Sequence, residues 1–423
     1  MNLFIGIDIG TSACRACAID DRARVVAQAR QNLPPPDRDG DCVEQDADIW
    51  WQALQQTLDE LNARFDPGRV CRIAVDGTSG TLLLCTRDGT ALTPGLMYND
   101  ARAVEEARLI ARVAPADCAA LGASAGLAKL LYLRKYLPER DHLALHQADW
   151  LAGKLTGQFA FSDENNALKT GYDPLQHCWP AWLDKLSVAE QELPEVRLPG
   201  TMIGTVSAAC RNRWGWPSDA AVVAGTTDST AGFIATGAGK PGTAVTTLGS
   251  TLVVKVLSDQ PVSAAEYGIY SHRLGNHWLV GGASNAGGAV LHKLFSSCDI
   301  HRYTRLMRPH QPTGLNYYPL PARGERFPLR DPLMQPVLEP RPASDAVFFQ
   351  GILEGLAHIE QRSYRLLANL GAPFPKHVLT VGVGAVNNGW MAIRRQRLSI
   401  PVTRAIHQEA AFGSALLALR GQA

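Results

Sequence analysis

LFIGIDIGTS, residues 3–12, is an apolar run that contains one aspartate, Asp8, and ends in the polar turn Gly10-Thr11-Ser12. A second β-type run, residues 13–19, follows directly. Two strand-like runs around a short Gly/Ser/Thr turn predict an antiparallel hairpin. Backbone N–H groups and hydroxyls at such a turn make a cradle for phosphate oxygens, and an adjacent carboxylate can hold Mg²⁺.

The same pattern recurs about 240 residues later, which is typical of an internal duplication. Residues 243–248 and 251–256 form strand-like runs around Gly249-Ser250. Between the two hairpins, GAGKPG at residues 237–242 is a natural breaker cluster. We therefore expect two domains, 1–236 and 237–423.

Composition narrows the class of partner. The chain has 423 residues, of which 46% are hydrophobic and 19% charged, and a formal net charge of +1. A balance this even gives no electrostatic reason to expect nucleic acid or an anionic membrane as partner, so a small ligand is the default. No apolar run is long enough to cross a bilayer, and nine scattered cysteines fit reduced thiols. We expect a cytoplasmic protein, and the pattern leaves its oligomeric state open.

A glycine-rich stretch near the C-terminus allows a different interpretation. Residues 382–387 read GVGAVN, after a strand-like run at 378–381 and before a helix-like one at 390–398. Strand, GxG and helix together suggest a dinucleotide fingerprint and an oxidoreductase. Asn387 at the third glycine position and the lack of an acidic residue at the ribose-binding distance argue against that interpretation.

Five motifs follow one another along the chain: FIGIDIGTS (4–12), VEQD (43–46), DGTSG (76–80), GTTD (225–228) and EAAFG (409–413). In this order they resemble the FGGY carbohydrate kinases, which belong to the sugar kinase, Hsp70 and actin superfamily. The resemblance implies an α/β protein with a two-domain, actin-like ATPase fold, ribonuclease H-like domains, and nucleotide and sugar in the interdomain cleft. Chain length and the stretches at 147–150, 166–172 and 317–321 are most similar to the short D-ribulose kinases.

The resemblance implies a role for each matched residue. Asp228, in the stretch AGTTDSTAG at 224–232, matches the general base that accepts the proton of the sugar hydroxyl, and its small neighbours leave room for a substrate. Asp8 matches the residue associated with Mg²⁺. The implied catalytic residues are Asp228, Asp8 and Thr11; the sugar-binding residues are Asp8, Gly77, Thr78, Ser79 and Asp228; the ATP-binding residues are Gly10, Thr11, Ser12, Gly249, Ser250, Thr251, Gly382, Gly384 and Asn387; and the metal ligand is Asp8.

Three positions leave alternatives open. Asp76 either contacts the sugar or only terminates its strand. Residues 98–102 resemble the family's sugar-side region, with Tyr98 as the aromatic. Val383 replaces the middle glycine of the family's usual adenosine motif, and Val386 replaces a residue that is commonly polar there. A branched side chain at 383 would either weaken ATP binding or shift a contact.

The favoured hypothesis is a kinase that transfers the γ-phosphoryl group of MgATP to a ketopentose, with D-ribulose as the expected sugar and D-ribulose 5-phosphate as the product. A D-xylulose kinase or another polyol kinase of the family is the alternative. A nucleotide-gated sugar sensor without phosphoryl transfer is a hypothesis from a different class.

Overall fold

The computed structural model describes residues 2–137 and 141–421, which form two compact units. The first unit comprises the chain up to Ala235, Arg273–Gly275 and the residues from Glu409 onward. The second comprises Thr236–His272 and Asn276–Gln408. The C-terminal segment therefore belongs to the first unit, whereas the sequence placed all of 237–423 in a second domain.

A six-stranded sheet forms the centre of the first unit, with the order β12-β13-β6-β1-β2-β3. Strands β1, β2 and β3 are antiparallel neighbours, whereas β6 and β13 run parallel to β1. A second, antiparallel sheet has the order β4-β5-β8-β7-β9. The strands are β1 (Leu3–Ile9), β2 (Ala13–Asp20), β3 (Val25–Asn32), β4 (Asp37–Asp39), β5 (Cys42–Gln45), β6 (Val70–Gly77), β7 (Leu82–Cys85), β8 (Gly95–Leu96), β9 (Leu143–His146), β10 (Phe161–Asp163), β11 (Glu195–Arg197), β12 (Met202–Thr205) and β13 (Ala221–Thr227).

Helices cover both faces of the central sheet. The first long helix begins after Asp46, whose side chain accepts a hydrogen bond from the backbone N–H of Asp48 at 2.9 Å. Its Trp50 is fully buried in the main core. The helices of the segment up to Ala235 are α1 (Ala47–Asn62), α2 (Val104–Ala111), α3 (Gly126–Leu133), α4 (Gln147–Thr156), α5 (Glu164–Ala167), α6 (Ala208–Trp214) and α7 (Asp228–Ala235).

The second unit repeats the strand arrangement of the first. Strand β14 pairs antiparallel with β15, which pairs antiparallel with β17, while β18 and β19 continue the sheet in parallel on the other side of β14. The remaining strands are β14 (Thr243–Leu248), β15 (Leu252–Ser258), β16 (His272–Leu274), β17 (His277–Ser284), β18 (His377–Val381) and β19 (Val402–Arg404), and the remaining helices are α8 (Ala289–Leu294), α9 (Ser297–Leu306), α10 (Asp345–Asn369), α11 (Asn388–Leu398) and α12 (Ala410–Arg420).

Helix α12 explains why the C-terminus belongs to the first unit. Its Phe412 and Ala415 pack with Phe4 of β1 and Ile234 of α7 in one buried cluster. A Cβ atom at Gly413 would lie 1.8 Å from the carbonyl oxygen of Ala231, so only glycine allows this approach of α12 to α7. Within the described parts of the chain, no helix is both long and apolar enough to cross a membrane.

Candidate active site

Three aspartates come together where three parallel strands end. Asp8 of β1 lies opposite Asp76 of β6, and Gly77 of β6 lies opposite Thr227, the last residue of β13. Asp228 follows directly as the first residue of α7. Because parallel strands present their carboxyl ends at the same edge, the fold gathers carboxylates that lie far apart in the sequence.

Asp8 is buried beside one cation. Its Oδ2 lies 3.0 Å from Nη1 of Arg15, the residue opposite it in the first hairpin. Burial raises the pKa of Asp8, and the charge of Arg15 opposes that shift. The hairpin therefore supplies both a carboxylate and its partner guanidinium beside the first turn.

Asp76 is the most deeply buried of the three, with an exposed fraction of 0%. Its Oδ2 accepts a hydrogen bond from the Ser414 hydroxyl of α12 at 2.5 Å, while Oδ1 has no partner among the residues described. Burial, and then the negative charge of Asp8, raise the pKa of Asp76 well above its usual range. Full burial favours the protonated form of this carboxyl group and argues against direct contact with a sugar.

Asp228 is half-buried at the N-terminus of α7, and its Oδ1 accepts the backbone N–H of Ser229 at 2.5 Å. The positive end of the helix dipole favours the ionised carboxylate there. Below it, Thr227 Oγ1 lies 3.0 Å from Thr230 Oγ1, and Thr226 Oγ1 accepts from Asn165 Nδ2 at 2.9 Å. These contacts fix the turn that presents the carboxylate.

The loop after Asp76 contains unsatisfied polar groups. Gln147 Oε1 accepts hydrogen bonds from the Thr78 backbone N–H at 3.2 Å and from its hydroxyl at 3.0 Å. Ser79 Oγ, Gln147 Nε2 and Asn99 Oδ1 are buried without a hydrogen-bond partner in the described structure. Buried polar atoms are normally paired, so this mixture of donors and acceptors suits the hydroxyl groups of a polyol.

Lys129 connects this loop to the stretch at 97–102. The side chain is fully buried in α3, and its Nζ donates to the carbonyl oxygens of Gly80 and Met97, at 2.7 Å each. Burial lowers its pKa to about 7, with Asp100 opposing the shift. Asp100 in turn accepts from the backbone N–H of Val43 at 2.6 Å and from Arg102 Nε at 2.8 Å. The two segments expected to contact sugar are thus joined by one ammonium group.

The first hairpin turn offers groups for a phosphate. Gly10 donates its N–H to the Ala13 carbonyl at 3.1 Å, which closes the turn, and Leu33 donates to the Ser12 carbonyl at 2.9 Å. Thr11 is half-buried and Ser12 is exposed. Across residues 2–137 and 141–421, neither hydroxyl has a hydrogen-bond partner, so both are available to an incoming oxygen.

In the second unit, backbone hydrogen bonds from Gly288 and Ala289 fix the turn at Gly249 and Ser250. Gly288 donates its N–H to the Gly249 carbonyl at 2.8 Å, and Ala289 donates to the Ser250 carbonyl at 3.1 Å. Gly249 also donates to the Thr251 carbonyl at 3.2 Å. The carbonyls are therefore occupied, and Ser250 remains exposed at the tip.

The expected adenosine motif forms a 3₁₀ turn, not the start of a helix. Gly382 has a φ of 89°, a Cβ atom there would lie 2.7 Å from the Leu248 carbonyl oxygen, and its N–H donates to Gln408 Oε1 at 3.0 Å. Val383 and Val386 are 75% and 70% exposed. Asn387 caps α11, since its Oδ1 accepts the N–H of Trp390 at 2.9 Å. The two valines are thus an exposed apolar surface beside a constrained backbone.

The residues present fit a magnesium ion only in part. No group of three or more His, Cys, Asp or Glu side chains suited to a metal occurs in the described residues. Mg²⁺ at phosphoryl-transfer sites is commonly held by one or two carboxylates together with phosphate oxygens and waters. Asp8 is the buried carboxylate that this arrangement would use, and Oδ1 of Asp76 is a neighbouring buried oxygen without a hydrogen-bond partner in the described residues.

Sequence reasoning missed four residues of this site. The register of the first hairpin pairs Arg15 with Asp8, but a shift of one residue would have changed the partner. Gln147 and Ser414 lie in or beside motifs that were recognised without a role for these side chains. Nothing in the sequence indicated a role for Lys129, because a single lysine in a helix gives no sign that its side chain is buried.

Comparison with known proteins identifies the family. Residues 3–235 match the N-terminal domain, and residues 244–421 the C-terminal domain, of the FGGY family of carbohydrate kinases. A xylulose kinase from Escherichia coli is 26% identical over 65% of this chain, which spans 59% of that relative's length. A xylulose kinase from Staphylococcus epidermidis (strain RP62A) is 23% identical over 99% of this chain and 87% of its own.

The solved structures agree on the fold. A "xyloylose kinase" from Brucella ovis aligns with a TM-score of 0.90 at 23% identity, covering 100% of this chain and 90% of its own. The expected two-domain α/β kinase fold is confirmed, whereas the relatives named above are xylulose kinases and do not single out ribulose kinases. The chain belongs to the FGGY family of carbohydrate kinases.

Proposed function

We propose that the protein phosphorylates a ketopentose with ATP, using Asp228 as the general base. The observation that carries this proposal is the edge of the first-unit sheet, where Asp228 is half-buried next to Asp8 and Asp76. Of the three carboxyl groups, Asp228 alone is both partly open and placed at a helix N-terminus, where the helix dipole favours a negative charge. A general base must carry that charge to accept a proton.

In the proposed reaction, a terminal sugar hydroxyl attacks the γ-phosphorus. The O–P bond forms while the bond from γ-phosphorus to the bridging oxygen breaks, ADP leaves, and the hydroxyl proton passes to Asp228. Mg²⁺, when bound, supplies charge neutralisation at the phosphates. Asp8 is the candidate ligand of that ion, and Thr11, Ser12 and Ser250 are the candidate hydroxyls for phosphate oxygens.

The sugar would bind at the loop 77–80. Ser79 Oγ, Gln147 Nε2 and Asn99 Oδ1 would each gain the partner they lack. The names of the matched relatives favour D-xylulose as the sugar. D-ribulose is the second candidate, because the stretches at 147–150, 166–172 and 317–321 resemble those of short D-ribulose kinases.

The nucleotide would contact the 3₁₀ turn of the second unit. A purine ring would cover the exposed side chains of Val383 and Val386, so the valines that replace the usual residues offer apolar contact with the base. The dinucleotide interpretation loses its basis, because Gly382 to Asn387 lie inside the matched kinase domain and precede a helix that begins only at Asn388.

The test is the initial rate of ADP formation from MgATP with D-xylulose, D-ribulose, L-ribulose, ribitol and glycerol. We expect strong sugar-dependent turnover with one ketopentose. Turnover only with a polyol would discard the ketopentose and keep the kinase. If no sugar stimulates ADP formation while a sugar binds more tightly in the presence of ATP, the sensor hypothesis replaces this one.

A further inference from the structure

The second unit contains a cavity of about 640 Å³ that shares no residue with the hairpin turns or the 3₁₀ turn. Its walls are the segment 309–318, helix α10 and helix α11. Its volume lies within the range of about 300 to 1,000 Å³ that is typical of small-molecule sites.

Three arginines and one histidine line this cavity. Arg362 and Arg365 lie on α10, and Arg397 lies on α11. In the described residues neither Arg362 nor Arg365 has an ion pair or a hydrogen bond, although Arg362 is half-buried. Arg397 contacts only a nitrogen with its Nη2, the Nδ1 of His358. The guanidinium groups thus remain without an anionic partner.

The only carboxylate among the residues that line the cavity is already engaged. Glu354 accepts the backbone N–H of Thr313 at 3.1 Å and its hydroxyl at 2.6 Å. It also accepts from Gln350 Nε2 at 2.9 Å. Its oxygens fix the chain at 313 to α10 and do not neutralise the arginines.

The positive charges of the arginines act on the pKa of His358. Burial lowers the pKa of His358, and the charges of Arg397, Arg362 and Arg365 lower it further. The charges of all three guanidinium groups therefore act on the same imidazole ring. A set of cations that repel one another is stabilised by an anion placed among them.

We propose that this cavity binds a small phosphorylated metabolite. Guanidinium groups recognise phosphate through paired N–H donors, and three of them line this cavity from two helices. The amide side chains of Asn316 and Gln396 also line the cavity and suit hydroxyl groups on the remainder of such a ligand, whereas Gln361 Nε2 already donates to the Arg397 carbonyl at 2.6 Å. A carboxylate compound would use the same donors, so the experiment includes both chemistries.

The test is isothermal titration calorimetry of the full chain with pyrophosphate and with citrate. A non-hydrolysable ATP analogue at saturation occupies the proposed nucleotide site, so that the titrant reports the cavity. We expect one pyrophosphate per chain, at least tenfold weaker binding in Arg362→Gln/Arg365→Gln, and no change in the control Arg330→Gln. Arg330 is exposed and lies outside the cavity.

Three results would overturn the proposal: no pyrophosphate binding to the wild type, equal binding to the double variant, or an equal loss in Arg330→Gln. Binding of citrate without pyrophosphate would overturn the phosphate class. Thermal unfolding confirms that each variant is folded, and Arg365→Gln alone, at an exposed position, gives a second and milder measurement. Loss of the proposed kinase activity in Asp228→Asn is independent of all these outcomes.

Discussion

Buried Glu360 in the second unit and buried Asp76 in the first are neutralised in different ways. Glu360 forms a two-point ion pair with Arg394, with N–O distances of 2.6 Å at both oxygens, and accepts from Thr246 Oγ1 at 2.5 Å. Asp76 has the Ser414 hydroxyl and the neighbouring Asp8 carboxyl, and no cation in contact within the described chain.

The two units share the same strand order, but each uses its buried carboxyl group differently. A carboxylate with all its partners in place ties helices α10 and α11 to the sheet and has no capacity left for a ligand. A carboxyl group that lacks a cation can exchange protons or accept a metal. We infer that the first unit contains the reaction chemistry and that the buried pair in the second unit is structural.

The largest expected effect is on turnover. Asp228→Asn removes the proposed base and preserves the shape of the side chain, so kcat should fall by about 10² to 10⁴ while the melting temperature stays close to that of the wild type. Steady-state kinetics and thermal unfolding measure the two quantities. The control is Asp219→Asn, at an exposed position. A near-normal kcat in Asp228→Asn would refute its role as base.

The second effect is on stability. Arg394→Met leaves the Glu360 charge buried without its partner, and we expect the free energy of unfolding to fall by about 3 to 5 kcal/mol. Denaturant titration measures this loss. Replacing both residues, in Arg394→Met/Glu360→Met, should restore most of it because no uncompensated charge remains. A double variant as unstable as the single one would show that the pair does not act as a unit.

Lys129→Met should act on both stability and sugar binding. The carbonyls of Gly80 and Met97 lose their donor, at a cost of about 1 to 3 kcal/mol. The KM for sugar should rise by more than the KM for ATP, because the loop at 77–80 loses its tie to residues 97–102. The exposed Lys185→Met is the control.

The pH dependence of Lys129 adds a second readout. Its pKa in the folded protein, about 7, lies below the ordinary value of 10.5, so the folded state binds fewer protons than the unfolded state between these pH values. Wild-type stability should therefore gain from this group as pH rises from about 7 to 10. The gain should be absent in Lys129→Met, and an identical slope in both proteins would contradict the assignment.

The smallest effect is expected for Asp76→Asn, since an amide resembles the protonated carboxyl. We expect the free energy of unfolding to change by less than about 1 kcal/mol near pH 4. Because the pKa of Asp76 is raised in the folded state, the stability that its carboxyl group contributes is lost as pH rises. The free energy of unfolding of the variant should therefore increase relative to that of the wild type above pH 4. A constant difference across pH would mean that Asp76 is ionised throughout.

Local patterns predicted the elements of this fold well. The first hairpin and the strand before Gly382 both follow from apolar spacing and turn residues, and the structure has them within a few residues of the expected ends. Each is specified by side chains that are neighbours in sequence.

The site itself is formed by residues that lie far apart in the sequence, and no local pattern relates them. Ser414 reaches Asp76 across 338 positions in the sequence, and Lys129 finds its acceptors 32 and 49 positions away. Motif resemblance located Asp8 and Asp228 but gave no account of these partners. Burial determines the protonation of Asp76, and burial becomes known only when all elements around it are placed.

The position of helix α12 has a consequence for biosynthesis. Phe4 and Ile234 pack in one buried cluster with Phe412 and Ala415, which are synthesised much later. At about 5 to 20 residues per second, the interval between Ala235 and Glu409 is roughly 10 to 35 seconds. During that time the apolar side chains of the first unit that contact α12 lack this partner. Completion of the first-unit core is therefore delayed until the residues of the second unit have been synthesised.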